Sequence, residues 1–181
     1  LYLASTDPEQ VRTRTLADVI AFNAAEPRET VLFGQELFER AEATGGLDDP
    51  AYVEARATSL RLAGAEGIDR LMREHDVVAL IAPTTGPAWM TDVVNGDHYL
   101  GSASTLPAVA GYPHLTVPMG QVGGLPVGLS FIGGQWQDAR VLALGYAFEQ
   151  LGPQRVAPAF PASLNATRAV APLLAPIHQE P

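Results

Sequence analysis

The sequence predicts an α/β protein whose sheet contains at least one antiparallel pair of strands. Residues 50–74 repeat apolar side chains at the helical period, and an all-apolar run follows at residues 77–82. Residues 111–134 contain two short β-rich runs joined by a glycine-rich connector, which is typical of a hairpin. A further helical pattern begins near Asp138, so helices and strands alternate and we expect helices packed against a sheet.

The first part of the chain is predicted to be helical. Thr15 and Asp18 have the spacing of a capping box, with Asp in the position usually held by Glu. The helix that they start is expected to end at Pro27. A second helix is predicted over residues 29–43, where a pair of glycines follows. The side chains expected to point inward from this second helix are Leu32, Phe33 and Leu37.

The longest helix is predicted at residues 50–74. An acidic cap precedes Pro50, a combination typical of a helix start. Gly64 in mid-helix costs up to ~1 kcal/mol relative to Ala, which indicates close packing there. The run at residues 77–82 has the continuous apolarity of a central strand covered on both faces. The predicted inner face of the helix consists of Val53, Ala57, Leu60, Gly64, Ile68 and Leu71.

A long polar loop is expected after this strand, over residues 84–101. A short helix follows at residues 102–111. The two strands of the hairpin are placed at residues 114–119 and 126–132, because their β-branched and aromatic side chains suit a buried pleated surface. The loop and the hairpin therefore lie next to each other along the chain.

The last predicted helix starts at Asp138, which we expect to be its cap. Proline is frequent beyond Gly152, so residues 161–181 are predicted to be a tail that lies over the surface. Residues 1–160 are predicted to form the domain. The expected inner face of the helix consists of Val141, Leu144, Gly145, Phe148 and Leu151.

The composition limits the partners and the chemistry. Apolar residues make up 47% of the 181 residues, and the net charge of −9 argues against a nucleic-acid partner. The chain has no Cys, which excludes a thiolate nucleophile, and every basic residue is Arg, so no Lys is present. The longest purely apolar run, residues 77–82, is far shorter than the ~20 residues of a membrane helix, so no membrane partner is expected. No signal peptide is expected either, and a cytoplasmic location is favoured over others.

The residues alone do not predict a complete catalytic site. Ser130 follows Gly-Leu but lacks the final Gly of a nucleophile elbow, and it falls inside a predicted strand. Ser102 and Ser104 precede a helix whose first N–H groups would suit an anion or a carbonyl oxygen, but plain capping of this helix by Ser102 or Ser104 is the favoured interpretation. Asp97 and His98 form the best acid–base pair, although neighbouring loop residues usually point apart.

Metal and phosphate chemistry are not expected. The chain has no His-x-x-x-His spacing, and Asp92, Asp97 and His98 are weak metal candidates. The glycines of residues 120–128 fit neither phosphate-binding pattern and join two strands rather than a strand and a helix. Trp89, in the long loop, is the clearest pocket feature, with simple anchoring of the loop as the alternative. We therefore expect no metal and no cofactor.

Several segments, taken in order, resemble the C-terminal part of the amidase signature family. The matching motifs are AGYP at residues 110–113, VPMG at 117–120 and GLPVG at 124–128. Residues 16–23 and 80–89 also resemble family segments, so the resemblance runs over about residues 1 to 160. Within the family, AGYP, VPMG and GPAW are most similar to the peptide amidase branch, which removes the terminal amide from peptides.

The resemblance implies a mixed β-sheet flanked by helices and hydrolysis of amides. The family uses a Ser nucleophile, a bridging Ser with a cis peptide bond, and a Lys that accepts the relayed proton. This chain has no Lys and no Gly-Gly-Ser-Ser run, so no catalytic residue is assigned to it. The resemblance implies instead that an N-terminal half supplies the chemistry and that this chain forms the pocket wall for a small-molecule or peptide amide. The predicted substrate-binding residues are Thr84, Thr85, Trp89, Asp97, Ser102 and Ser104.

Two alternatives to the amidase hypothesis stay open. The first is a non-catalytic binding or scaffold module that has the same fold without the chemistry. The second is an amidotransferase A-type subunit that passes ammonia to a partner. A Lys and a Gly/Ser-rich run upstream of Leu1 would favour an enzyme, whereas a stable complex with another protein would favour the amidotransferase.

Overall fold

The computed structural model describes residues 2–152, 155–158, 160, 163 and 172. The predicted tail at residues 161–181 lies almost entirely outside these residues. The chain divides into two compact units, Leu1–Arg56 and Ala57–Pro181. None of its described helices is both long enough and apolar enough to cross a membrane.

The first unit is helical. Thr15 Oγ1 accepts a hydrogen bond from the N–H of Asp18 at 3.1 Å, and Asp18 Oδ2 accepts one from the N–H of Thr15 at 2.9 Å. The predicted capping box is therefore confirmed, and so is the end of its helix just before Pro27. Pro27 itself begins the next short helix, as its fixed φ allows. The helices are α1 (Tyr2–Ser5), α2 (Leu16–Ala25), α3 (Pro27–Thr30) and α4 (Glu36–Glu42).

The single helix predicted at residues 29–43 was wrong. The chain leaves the helical conformation between α3 and α4, where Gly34 has a low helix propensity and Gln35 has non-helical dihedral angles. The side chain of Gln35 donates to the carbonyl of Ile20 at 3.2 Å, which holds this break against α2. The side chains predicted to point inward are largely exposed instead: Leu32 (63%), Phe33 (70%) and Leu37 (70%).

The long helix predicted at residues 50–74 is present but is interrupted by a π-helical turn. It consists of α5 (Pro50–Ala63), the π turn (Gly64–Ile68) and α6 (Asp69–Glu74). Only the second half of its predicted inner face is covered, since Ile68 is fully buried whereas Val53 is 52% exposed.

Gly64 packs closely, as predicted. A Cβ atom at this position would lie 3.1 Å from the hydroxyl of Tyr112. That hydroxyl donates to Asp69 Oδ2 at 2.6 Å. The hydrogen bond to Asp69, together with burial and the negative charge of the carboxylate, raises the pKa of Tyr112 to about 12. This hydrogen bond thus joins the start of α6, directly after the π turn, to the segment before the hairpin.

The α/β class is confirmed, with a sheet of three antiparallel strands in the described residues. The strands are β1 (Leu80–Pro83), β2 (His114–Val122) and β3 (Leu125–Ile132), in the spatial order β1-β3-β2. The sequence placed a buried central strand at residues 77–82, and this expectation was wrong. The strand begins only at Leu80, lies at an edge, and leaves Ile81 65% exposed. Apolarity alone indicates what a strand can bury, not which neighbours are present to cover it.

The hairpin is tighter than predicted. β2 and β3 extend into the expected connector, so that only Gly123 and Gly124 form the turn. Both have positive φ (58° and 82°), the conformation that a two-residue hairpin turn requires and that glycine adopts without strain. The register shifts between Pro118 and Gly120, which makes Met119 the extra residue of a β-bulge.

One face of the sheet is apolar and is covered by the last helix. α7 (Thr105–Ala110) ends at Gly111, whose φ of 72° terminates it, and α8 (Asp138–Glu149) packs on β2 and β3. The residue that flanks the start of α8 is Gln137; Asp138, predicted as the cap, instead lies in the first turn, where its charge suits the helix dipole. The core under α8 consists of Val117, Phe131 and Val141, with Leu115, Leu129, Leu144 and Phe148 packed around them.

Candidate substrate-binding site

The long loop after β1 is closed at its base by backbone hydrogen bonds. The N–H of Thr84 donates to the carbonyl of Gly128 at 2.8 Å, and the carbonyl of Thr84 accepts from the N–H of Ala103 at 2.9 Å. Thr85 pairs with Ser102 in an antiparallel bridge. The side chain of Thr85 also donates to the carbonyl of Gly101 at 3.0 Å. The two ends of the loop therefore meet at the carboxyl end of β1, and we call this region the loop base.

Two serines lie at the loop base beside Thr85. The hydroxyls of Ser102 and Ser104 are 2.6 Å apart, and the N–H of Ser104 donates to Ser102 Oγ at 3.1 Å. Ser104 makes no side-chain hydrogen bond to α7, so capping of this helix by the Ser104 side chain was the wrong interpretation. Both serines are half-buried, as is Thr85. The loop base therefore presents several hydroxyl groups within a short stretch of partly accessible surface.

A chain of hydrogen bonds connects the loop base to the face of the sheet opposite α8. Ser130 Oγ donates to Thr84 Oγ1 at 2.9 Å, and Thr84 Oγ1 lies 2.6 Å from Thr116 Oγ1. His114 Nε2 lies 2.6 Å from Ser130 Oγ. Since Ser130 gives its single proton to Thr84, Ser130 accepts from His114 Nε2. Either hydroxyl can be the donor between Thr84 and Thr116. We call these four side chains the hydroxyl chain.

Ser130 and Gly128 explain how the side chains of the hydroxyl chain come within hydrogen-bonding distance of one another. Ser130 is fully buried, and both of its hydrogen bonds stay within the chain. A Cβ atom on Gly128 would lie 2.5 Å from Thr116 Oγ1 and 2.9 Å from Thr84 Oγ1. Glycine at this position therefore leaves the space in which the two threonine hydroxyls meet. The predictions that Ser130 lies inside a strand and that His114 starts one and is hydrogen-bonded are confirmed.

The other two predicted site residues lie in the exposed part of the loop. Trp89 packs edge-on against Tyr99, with ring centroids 5.9 Å apart. Asp97 is exposed, and its carbonyl accepts from the N–H of Tyr99 at 2.9 Å. Within the described residues, no hydrogen bond joins the side chains of Asp97 and His98. The structure thus brings Thr84, Thr85, Ser102 and Ser104 together and leaves Trp89 and Asp97 farther along the loop. A role in substrate binding stays a prediction for all six.

Asp92 shapes the exposed part of the loop. Its carboxylate accepts from the N–H groups of Val94 and Asn95 and from Asn95 Nδ2, all at 2.8–2.9 Å. These hydrogen bonds, first those from Asn95, lower the pKa of Asp92. In the part of the chain that the structure describes, no three His, Asp or Glu side chains are grouped so as to hold a metal ion.

A groove of about 440 Å³ lies over the hairpin beside the hydroxyl chain. Thr116 and Gly128 form part of its wall, and Arg155 and Val156 approach it from the segment after α8. Sequence reasoning passed over Thr116 and assigned His114 no site role. The alternation of polar and apolar residues along β2 could have identified these two residues. It places His114 and Thr116 on the face opposite the core residues Leu115 and Val117.

The described part of the second unit thus contains a small antiparallel sheet, a helix on the apolar face of that sheet and a hydroxyl-rich loop base. A sequence model described as Amidase matches residues 3–142. The chain belongs to the Amidase family. Its sequence motifs had indicated the same family.

Three similar proteins show how much of their own length the chain spans. A solved peptide amidase from Stenotrophomonas maltophilia is 48% identical, with a TM-score of 0.72, over 82% of this chain and 30% of that one. A probable amidase from Arabidopsis thaliana is 33% identical over 151 residues, 81% of this chain and 26% of its own length. The A-type subunit of a glutamyl-tRNA(Gln) amidotransferase from Pseudothermotoga lettingae is 32% identical over 131 residues, 68% of this chain and 28% of its own length. The chain thus spans less than a third of the length of each of these proteins.

Proposed function

We propose that this chain is the C-terminal portion of an amidase that hydrolyses carboxamide C–N bonds, with the terminal amides of peptides as its substrate class. The observation that carries the proposal is the 48% identity, over most of this chain, to a solved protein named as a peptide amidase. The sequence contains no Lys, which agrees with the proposal that the proton-relaying residues belong to another part of the enzyme.

In this proposal the loop base and the exposed loop contact different parts of the substrate. A primary carboxamide has one strong acceptor and two donors, and hydroxyl groups satisfy both kinds. The half-buried hydroxyls of Thr85, Ser102 and Ser104 are the groups that would face the amide. Trp89, packed on Tyr99 and 38% exposed, would contact an apolar side chain of the peptide. Asp97 would lie at the outer rim, toward solvent.

The test is release of ammonia from a C-terminally amidated dipeptide. We expect no turnover by the 181-residue chain alone and turnover by a longer polypeptide that contains it together with an amidase N-terminal half. Trp89→Ala in that polypeptide should raise KM about tenfold, equivalent to about 1.4 kcal/mol of binding. Tyr146→Ala, on the exposed side of α8, is the matched control and should leave KM unchanged. Robust turnover by the chain alone would contradict the proposal.

A second candidate is an amidotransferase A-type subunit, which the match to the Pseudothermotoga lettingae protein favours. Such a protein would pass ammonia to a partner rather than release it. The discriminating measurement is the free ammonia formed per amide consumed, together with a pull-down from a host lysate. Stoichiometric free ammonia without a bound partner favours the peptide amidase. If the longer polypeptide hydrolyses no amide substrate, the remaining hypothesis is the non-catalytic binding or scaffold module.

A further inference from the structure

The exposed part of the long loop contains the single Asn-Gly pair of the sequence, Asn95 and Gly96. The other two asparagines, Asn23 and Asn165, each precede an alanine. An asparagine can cyclise when the backbone nitrogen of the next residue attacks its carboxamide carbon. A glycine in the next position favours this attack, because it has no Cβ to crowd the nitrogen and no restriction to negative φ. The pair therefore has the composition of a site of spontaneous chemical modification.

Asp92 is hydrogen-bonded to both of the groups that would react. Its carboxylate accepts from Asn95 Nδ2, the atom that would leave, at 2.9 Å, and from the N–H of Asn95 at 2.8 Å. Its backbone carbonyl accepts from the N–H of Gly96, the atom that would attack, at 3.0 Å. One residue thus holds the attacking nitrogen and the leaving nitrogen in the same turn of the loop.

These hydrogen bonds oppose the cyclisation. The Gly96 nitrogen must give up its bond to the Asp92 carbonyl before it can turn toward the carboxamide carbon, and the carboxamide must leave the Asp92 carboxylate. The hydrogen bonds from Asn95 also lower the pKa of Asp92, so its carboxylate is charged at neutral pH. A negative charge at this distance disfavours loss of the Gly96 amide proton, which the attack requires. Asp92 therefore slows a reaction that the sequence favours.

We propose that Asn95 is a site of deamidation through a succinimide and that Asp92 controls the rate. The Gly96 nitrogen bonds to Asn95 Cγ, the bond from Cγ to Nδ2 breaks, and the proton of the Gly96 N–H leaves with Nδ2 as ammonia. Water then opens the ring at one of its two carbonyl groups, which gives aspartate or isoaspartate. Water is the sole co-reactant, and this inference does not depend on the proposed function.

The conversion changes the part of the loop that lies between Trp89 and Tyr99, whose rings pack against each other. It removes the Nδ2 donor that bonds Asp92 and places a second carboxylate next to the first. Like charges so close together repel each other. The isoaspartate form also adds one methylene group to the backbone. The turn that Asp92 and Asn95 form is therefore lost in the modified chain.

The experiment incubates the folded 181-residue chain at mildly alkaline pH and follows each asparagine by peptide mapping with mass spectrometry. We expect conversion at Asn95 and far less at Asn23, which lies in α2. Asp92→Ala should raise the rate at Asn95 about tenfold, because it removes the hydrogen bonds from Asn95 to a charged carboxylate. Gly96→Ala should lower the rate at Asn95 to that of Asn23, because a Cβ crowds the attacking nitrogen.

The matched control is Asp97→Ala, which removes an equal charge from the same exposed loop and should leave the rate at Asn95 unchanged. A second control repeats the measurement in urea. In the unfolded chain, the wild type and Asp92→Ala should convert Asn95 at the same rate, and the wild type should react faster than it does when folded. Circular dichroism checks that each variant is folded. If Asp92→Ala fails to fold, Asp92→Asn keeps an acceptor oxygen, removes the charge and should give an intermediate rate.

The two parts of the proposal fail through different results. A rate at Asn95 no higher than that at Asn23, in both the wild type and Asp92→Ala, would overturn the modification site. Equal rates in the folded wild type and folded Asp92→Ala would overturn the role of Asp92. Equal acceleration by Asp92→Ala and Asp97→Ala would overturn that role too, since it would assign the effect to net charge rather than to the hydrogen bonds.

Discussion

The two faces of the sheet are made from the same three strands but are stabilised by different interactions. Facing α8, Val117 and Phe131 form a core that excludes water. On the opposite face, Ser130 and Thr116, each adjacent in sequence to one of these residues, belong to the hydroxyl chain. Alternation along a strand thus places the core under α8 on one face of the sheet and the hydroxyl chain, together with the buried Ile132, on the other. The predictions below test this separation.

The largest effect is expected on the apolar face. Phe131 is 8% exposed and its ring lies 6.0 Å from that of Phe148. Phe131→Ala removes this contact and leaves a cavity, so the free energy of unfolding should fall by about 3–5 kcal/mol. Urea denaturation followed by circular dichroism measures it. Leu142→Ala, on the exposed side of α8, should cost less than about 0.5 kcal/mol; a similar loss at both positions would mean that this face is not the core.

The next effect is expected in the middle of the hydroxyl chain. Ser130→Ala leaves His114 Nε2 and Thr84 Oγ1 without their buried partner, which should lower the free energy of unfolding by about 1–3 kcal/mol. In the longer polypeptide, the same change should raise KM for an amidated peptide more than Phe131→Ala does, because Thr84 belongs to the loop base. Ser130→Thr restores a hydroxyl and is the control. An unchanged KM in Ser130→Ala would show that the hydroxyl chain does not contribute to substrate binding.

A smaller effect with a pH dependence is expected at Tyr112, which donates to Asp69. Tyr112→Phe should cost about 1 kcal/mol at neutral pH. The pKa of Tyr112 is raised to about 12 in the folded protein, above the ordinary value of about 10 in the unfolded chain. The contribution of the hydrogen bond is therefore complete below pH 10 and is lost as the pH rises through 12. The stability difference between the wild type and the variant should shrink over this window, and a constant difference would contradict the assignment.

The smallest effect is expected at the exposed end of the hydroxyl chain. Thr116→Val keeps the shape of the side chain and removes its hydrogen bond to Thr84. Thr116 is exposed, so water replaces the lost partner and the free energy of unfolding should fall by only about 0.5 kcal/mol. A loss as large as that of Ser130→Ala would show that the chain is buried along its whole length. Gln121→Ala, exposed on the same strand, is the control.

Much of the local structure was predictable because it depends on neighbouring residues. The capping box of Thr15 and Asp18, the helix end at Gly111 and the hairpin all follow from interactions within a few residues. The family was also predictable, since its motifs are contiguous stretches. The prediction of one helix over residues 29–43 was wrong, because the non-helical backbone at Gly34 and Gln35 interrupts it despite the amphipathic pattern of side chains.

The sequence by itself determined the element types, the family and the absence of any Lys or Cys that would do chemistry. Only the tertiary structure decided that Thr84, Thr116 and Ser130 meet, because Thr84, directly after β1, lies 32 residues before Thr116 and 46 residues before Ser130. It likewise decided that the apolar run at residues 77–82 reaches only an edge strand of the sheet that the described residues form. The pattern of side chains along a strand indicates which face of the strand can be buried. Register and strand order determine which residues that face contacts, and both register and strand order are set by long-range pairing.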